Sequence, residues 1–328
     1  MSINVEKIFP QYSNLPAGVR SIIVDKMAAA DRCRFSGLSK SCNEEARASK
    51  NWIYELRFYY NFDYIAIDVV YGKYELNFER TQGFRLEFTD GPGAIFQKYT
   101  SLDFQRQWTV RYDGLVDLDK CVLSKFIRQL KANQHIIKKL DIYGSSPRNN
   151  FLLQNVDFGL DCLSNLEQLS ICGTIDYPQI FSKLRKPLKK LIVEEEGNID
   201  LAQFPQIYQV ENNLLWWNAK LNFQQFSQFS TKDLTIRIGK LTEKDVFMFI
   251  RSWQNGTIGK QIENYRFITR DSNFDKQKLL KLLRVKDDPD FIEIKHFKKA
   301  GKSGQIRFEH GLLRFSSGVV EDLRRFRF

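Results

Sequence analysis

Residues 15–57 read LPAGVRSIIVDKMAAADRCRFSGLSKSCNEEARASKNWIYELR. Leu15-Pro16 opens the stretch, and Val19, Ile22, Ile23 and Met27 then follow at spacings of three, four and eight from Val19, which is one face of a helix. A proline at the first helical position suits a helix start, because its missing N–H would have no intrahelical partner anyway. Asp31 opens a second short run in which Phe35 and Leu38 stand three apart. Lys40-Ser41 leads into a third run carrying Cys42, Ala46, Trp52 and Leu56. Three short helices in about forty residues bury too little surface to stand alone, so they need the rest of the chain or a partner to cover them.

This stretch resembles the F-box. That pattern has a Leu-Pro start, an apolar residue three later, an Ile-apolar pair, a closing large apolar residue, an Asp and a terminal apolar-Ser-Lys. Here the places are filled by Leu15-Pro16, Val19, Ile23-Val24, Met27, Asp31 and Leu38-Ser39-Lys40. Arg32 follows the Asp where the general pattern has Leu, and Cys42 stands where many members have Trp. The F-box families of nematodes are similar in carrying a basic residue after the Asp. The resemblance implies a docking surface for the Skp-type adaptor of a cullin-RING ubiquitin ligase, shared by Leu15, Pro16, Val19, Ile23, Val24, Met27, Phe35 and Leu38. An apolar helix face read by periodicity alone is equally what a core-facing helix shows.

Outside this stretch, 328 residues allow roughly two domains. The 43% hydrophobic and 27% charged content is ordinary globular usage, and 27 Phe with 13 Tyr favour a well-packed, strand-rich chain. No run approaches eighteen apolar residues, and residues 1–13 (MSINVEKIFPQYS) lack the basic start and apolar middle of a signal peptide. The expectation is a cytoplasmic or nuclear protein, neither secreted nor membrane-bound. Five scattered cysteines without a C-x-x-C and three histidines offer no zinc-ligand spacing, so the cysteines read as reduced small hydrophobes. The sequon Asn255-Gly256-Thr257 has no meaning without export.

The strand signals begin after the helical stretch. Residues 64–71, 74–78 and 84–88 alternate or run apolar between turn residues, 119–133 reads as a helix with Val122, Leu123, Phe126, Ile127 and Leu130 on one face, and 139–143 reads as a strand. A loose L-x-I or L-x-V unit then recurs at Leu140/Ile142, Leu169/Ile171, Leu191/Val193 and Leu234/Ile236, with Leu215/Trp217 as a further instance. Steps of 29, 22, 24 and 19 residues leave room for one strand and one return each, as in a leucine-rich-repeat array. An α/β sheet with coincidental leucine spacing is the other reading of the same residues.

Residues 241–268 carry the clearest helix. Thr242 and Asp245 form a capping box, Val246, Phe249, Ile250 and Trp253 line one face, Gly256 is the C-terminal cap, and Tyr265 to Ile268 is the next strand. With the strand KDLTIRI before it and the hairpin after it, this part resembles the type 2 F-box-associated domain of nematode F-box proteins over roughly 190–315. The tail reads as a helix at 274–283, a strand at 291–297, a turn at 298–304 and a returning strand at 305–309.

The fold expected is thus α+β or α/β. Residues 1–14 are an extension, 15–57 a small three-helix F-box, and 58–328 a degenerate leucine-rich-repeat-like β-α array ending in a β-hairpin. The function implied by the resemblance is non-catalytic. It is a substrate-recognition subunit of a Skp–cullin–F-box ubiquitin ligase, contacting the Skp-type adaptor, through it the cullin, and an unknown target protein. There is no G-x-S-x-G, H-E-x-x-H or G-x-G-x-x-G, and Ala300-Gly301-Lys302-Ser303 is no phosphate-binding loop, since His296 stands where its first glycine belongs. No metal or cofactor is expected.

Trp216 and Trp217 are the candidate target-binding anchors, because strand alternation would turn one indole outward; packing of one in the core and edge cover by the other is the simpler reading. The formal charge of +11 is uneven, with 15 Lys/Arg against 9 Asp/Glu from residue 270 onward. That excess gives the alternative function, a non-catalytic basic module for an acidic protein surface or nucleic acid with a vestigial F-box. No RNA- or DNA-recognition signature accompanies it, so nucleic acid is the less expected partner.

Overall fold

The computed structural model describes residues 12–27, 35, 39–48, 53–60, 65–71, 82–91, 94–101, 107–113, 118–134, 137–144, 157–173, 177–194, 203–219, 223–238, 242–258, 261–269, 274–286, 291–297, 302–309 and 312–319. It is a mixed α/β protein that divides into two compact units, Met1–Arg148 with Asp157–Leu166, and Asn149–Val156 with Glu167–Phe328. The division at 166/167 falls inside the stretch read as one domain from 58 onward.

The first unit begins with a 3₁₀ turn at Tyr12–Asn14 and helix α1 (Ala17–Lys26), entered through Pro16. Helix α2 (Lys40–Ala48) follows, capped by the Ser39 hydroxyl, which accepts from the Cys42 amide at 3.1 Å. Tyr12, Val24, Phe35 and Cys42 form a small buried cluster with Leu15, Ile23, Met27 and Ala46 packed against it. The middle helix expected from Asp31 to Leu38 lies outside the described residues except for Phe35. The third expected run is corrected: α2 stops at Ala48, and Leu56 belongs to strand β1 (Ile53–Tyr60). IYELRFYY has period two rather than 3.6, so the last five residues of the 15–57 stretch are sheet.

Strands β2 (Ile65–Tyr71), β3 (Gln82–Gly91), β4 (Ala94–Ser101) and β5 (Gln107–Asp113), helix α3 (Leu118–Asn133) and strand β6 (Lys139–Gly144) complete this unit. The strand order is β6-β1-β2-β3-β4-β5, with β6 and β1 parallel and the rest antiparallel. Leu56, Phe58, Ile67, Val69, Leu140 and Ile142 are buried, and so are Val122, Phe126 and Leu130 of α3. Phe58 and Phe126 meet at 4.8 Å. The strand expected at 74–78 lies outside the described residues. Strands β4 and β5 are absent from the sequence reading; AIFQKYTS carries no clean alternation, but QWTVRYD does, with Trp108, Val110 and Tyr112 at every second place.

The second unit holds β7 (Gln168–Gly173), helix α4 (Tyr177–Phe181), β8 (Lys190–Glu194), a 3₁₀ turn at Pro205–Gln209, β9 (Asn213–Ala219), helix α5 (Phe223–Phe226) and β10 (Asp233–Ile238). Helix α6 (Glu243–Gln254), β11 (Asn264–Thr269), helix α7 (Lys276–Leu283), β12 (Phe291–Lys295), β13 (Lys302–Glu309) and β14 (Leu312–Val319) follow. The strand order is β12-β13-β14-β11-β10-β9-β8-β7.

The apolar pairs of the L-x-I units are in register across its parallel strands. Leu169 and Ile171 lie opposite Leu191 and Val193, these opposite Leu214 and Trp216, these opposite Leu234 and Ile236, and these opposite Tyr265 and Phe267. All ten are at most 2% exposed. The unit on β9 is therefore Leu214/Trp216, one residue earlier than Leu215/Trp217. Because strand side chains alternate, that single step exchanges the buried and open faces. Each strand entry also bonds back to the previous one. The Lys189 and Lys190 amides donate to Glu167, Asn212 and Asn213 to Lys189, Asp233 to Asn212, and Glu263 and Asn264 to Lys232.

Helix α6 has the expected capping box. The Thr242 hydroxyl accepts from the Asp245 amide at 3.2 Å, and the Asp245 carboxylate accepts from the Thr242 amide at 3.1 Å. Gly256, at φ 69°, ends it in the left-handed region that glycine adopts freely. Phe249 packs on Tyr265, Phe267 and Phe315, and Trp253 on Phe315 and His296. The expected terminal hairpin is β12–β13, and a further strand, β14, inserts between β13 and β11. Its run LLRFSSGV buries Leu313, Phe315 and Ser317, the last too polar to mark a strand face in the sequence.

Gly304 lies beneath this aromatic group. A Cβ there would come within 2.7 Å of the Phe315 ring and 3.2 Å of Trp253. The Gly304→Ala variant is expected to lose about 1–3 kcal/mol through overpacking, read as a lower urea midpoint with an unchanged slope.

Candidate functional site

Helix α1 is apolar on two sides. Val24 is fully buried and Ile23 and Met27 half-buried against α2, whereas Val19 is 42% and Ile22 61% exposed. Among the described residues, then, only the inner face of this ten-residue helix is covered, and Val19 and Ile22 on its other side are open. Of the eight residues assigned to the docking surface, Val24 and Phe35 are core and unavailable to a partner. Leu15, Ile23 and Met27 are half-buried around them, and Pro16 and Val19 are open. Leu38 lies outside the described residues. Ile22, left out of the assigned set, is the most open of the group; its spacing of three from Val19 was the available signal. The helix pair is fixed by Glu45, which accepts from the Tyr12 hydroxyl at 2.6 Å and pairs with Arg20 at 2.9 Å.

A second feature lies on the polar face of the first unit's sheet. Glu55, Asp68 and Asp141 are 1–3% exposed and are met by three bases. Glu55 accepts from Arg57 and, at 2.6 Å, from Lys139; Lys139 also reaches Asp141 at 3.2 Å. Arg85 grips Asp68 with two bonds of 2.8 and 3.0 Å, and Tyr59 stacks on Tyr143 at 5.2 Å. Burial alone would raise the Glu55 carboxyl; hydrogen bonds and charge from Arg57 and Lys139 outweigh it and hold the group below its ordinary value. For Lys139 burial pulls downward, and Glu55 and Asp141 more than reverse it. With three acids set against three bases, the network reads as a charge-matched polar layer, in which Asp141 is held through its Oδ2 by Lys139 and Arg57 while its buried Oδ1 accepts no hydrogen bond.

Trp216 is corrected as a target-binding anchor. It is 2% exposed and packs edge-on against Phe181 at 6.2 Å, so it belongs to the core. The side chain of Trp217 lies outside the described residues. The backbone around it is irregular, since three steps on β9 from Trp216 to Ala219 match two on β10 from Ile236 to Ile238, the count of a β-bulge. The sheet face opposite the buried columns presents half-buried Ile192, Leu215 and Thr235 and exposed Arg266.

No protein-family model matches this chain, and no curated protein or solved structure is significantly similar to it. Among the described residues no three His, Cys, Asp or Glu are grouped so as to hold a metal ion, and no helix is long and apolar enough to cross a membrane. Cys42 is buried, and Cys162 and Cys172 are half-buried.

Because the Glu55 carboxyl is lower in the folded than in the unfolded chain, the unfolded chain takes up its proton first as pH falls. The stability it contributes is complete above about pH 4.3 and is lost as pH drops through the folded value. Urea midpoints of wild type are expected to fall steeply below that pH. Glu55→Gln, which costs about 1–3 kcal/mol at neutral pH by leaving Arg57 and Lys139 short of an acceptor, should show a flatter acid limb.

Proposed function

We propose that this protein is the substrate-recognition subunit of a Skp–cullin–F-box ubiquitin ligase. The observation that carries the reading is the outward apolar edge of α1, Pro16, Val19 and Ile22, directly after the Leu-Pro start that the F-box resemblance rests on. Val24, Phe35 and Cys42 hold the helices from inside and leave that edge for the Skp-type adaptor. Val19 and Ile22, three residues apart and both exposed, would supply apolar area to such a contact.

The second unit would present the target. Its five parallel strands, with stacked returns and in-register buried pairs, support reading it as a degenerate leucine-rich-repeat-like array, and the capped helix α6 with Trp253 and Gly256 supports the type 2 F-box-associated resemblance. Such arrays use the sheet face away from their helices as an extended binding surface. The chain itself forms no bond. Holding a target close to the ubiquitin thioester carried elsewhere in the complex raises its effective concentration, and that is its whole catalytic contribution.

Both Val19 and Ile22 are open in the free chain, so changing them tests docking without unfolding the module. The Val19→Asp/Ile22→Asp double variant should keep the wild-type circular dichroism and bind a Skp-type adaptor at least tenfold more weakly. Two charges would replace apolar contacts worth about 1–2 kcal/mol each. Undiminished binding by the variant, or none by wild type, overturns the proposal.

A further inference from the structure

Strand β12 ends the strand order of the second unit's sheet, paired with β13 on one side and, among the described residues, with no strand on the other. A strand edge offers backbone donors and acceptors to any second strand, and folded proteins commonly blunt it with charge. Along residues 291–297 the side chains alternate. Ile292, Ile294 and His296 are buried, and Phe291, Glu293, Lys295 and Phe297 are exposed. Phe297 is 62% open, and Phe291 is 42% open although Arg307 lies over its ring at 5.9 Å. Two charges of one sign would repel a second copy of the strand. One acid and one base flanked by two open aromatic rings do not.

The order of these residues is complementary to itself. Set against an antiparallel copy about Ile294, Glu293 faces the copy's Lys295 and Lys295 its Glu293, Phe291 faces Phe297, and buried Ile292 faces buried His296. Opposite charges and aromatic rings placed directly across adjacent strands are pairs that stabilise a ladder. Other centres fail. About Glu293 or about Lys295 like charges stand face to face, about Ile292 the Glu293 carboxylate meets Phe291, and about His296 the Lys295 ammonium meets Phe297. A centre between two residues turns exposed side chains onto the buried face.

We propose that β12 is a homodimer contact, in which a second copy of this chain pairs antiparallel about Ile294 and continues the sheet across a twofold axis. Gln254 at the end of α6 limits its extent. The Gln254 side-chain amide donates to the Lys295 carbonyl at 3.3 Å, and the Gln254 carbonyl accepts from the Phe297 amide at 2.9 Å. Those groups are engaged at the strand's end, so backbone pairing is centred on Glu293 to Lys295, and Phe297 meets the copy's Phe291 by its ring. Residues 291–297 are far fewer than the about 20–30 a side of a standard interface, so the dimer dissociates in the micromolar range. The pairing does not depend on the adaptor role, and its test needs no adaptor.

Sedimentation velocity of the full chain, from about 1 to about 100 μM so as to bracket a micromolar constant, reads the pairing directly. Wild type is expected to pass from monomer to dimer across that range. Glu293→Lys alone and Lys295→Glu alone set like charges opposite one another. Each should weaken the dimer at least tenfold at an unchanged unfolding temperature, since both side chains are exposed. An equimolar mixture of the two variants restores opposite charges at both places and should dimerise as wild type does. A chain that stays monomeric throughout overturns the proposal, as does dimerisation that both single variants retain. Failure of the mixture to recover what the single variants lose also overturns it, as does a dimer abolished by Val19→Asp/Ile22→Asp, which would belong to α1.

Discussion

The second unit depends on one constraint, that every strand of its parallel run places a large apolar pair at the same height. Leu169/Ile171, Leu191/Val193, Leu214/Trp216, Leu234/Ile236 and Tyr265/Phe267 make two continuous buried columns. No single strand could bury its own pair, since each is covered by its neighbours and by the elements that return between them. A slip of one residue on β7, β8, β10 or β11 would put a polar group into the column and an apolar one on the open face, whereas β9 could offer Leu215 and Trp217 instead and relies on its neighbours for register. The backbone bonds at the strand entries, repeated from Glu167 to Lys232, set the same register from the loop side. The last strand of the run brings Tyr265 and Phe267 into the columns, and Phe249 of α6 packs on both, while Trp253 joins it at Phe315. Gly304 is the position where that aromatic filling leaves no room for a side chain.

Once one face of a sheet is committed to the core, the other is left for polar chemistry, and the two units use it differently. In the first, Glu55, Asp68 and Asp141 are drawn into a closed set of charge pairs with Arg57, Arg85 and Lys139, and their low exposure requires that matching. In the second, Arg266, Arg314 and Arg307 stand in register on the face opposite the buried columns. Helix α1 repeats the theme on a smaller scale, with Val24 satisfied inside and Val19 and Ile22 unsatisfied outside.

How much of this the sequence discloses depends on whether the signal is local. The capping box at Thr242 and Asp245, the glycine cap at Gly256 and the 119–133 stripe are short-range patterns, and the structure has helices there within a residue or two. The L-x-I spacing found three of the columns' five pairs, but NNLLWWN offers two overlapping choices and only pairing with β8 and β10 decides for Leu214/Trp216. The run of Cys42, Ala46, Trp52 and Leu56 reads as one helix in the sequence, although IYELRFYY alternates and Leu56 belongs to β1. Cross-strand features were not legible at all. Glu55 with Lys139, Asp68 with Arg85, and Arg266 with Arg314 and Arg307 are brought together by register over tens of residues, and nothing near them in sequence marks the meeting.

The division of α1 into an inner and an outer face is the central claim, because the proposed adaptor role rests on the outer face being the one that is covered. Hydrogen exchange of the full chain, alone and saturated with a Skp-type adaptor, tests it most directly. The expected result is slowed exchange at the amides of 17–26 with β7 to β11 unchanged. Unaltered exchange along α1 in the presence of the adaptor, or protection confined to the sheet, would contradict it.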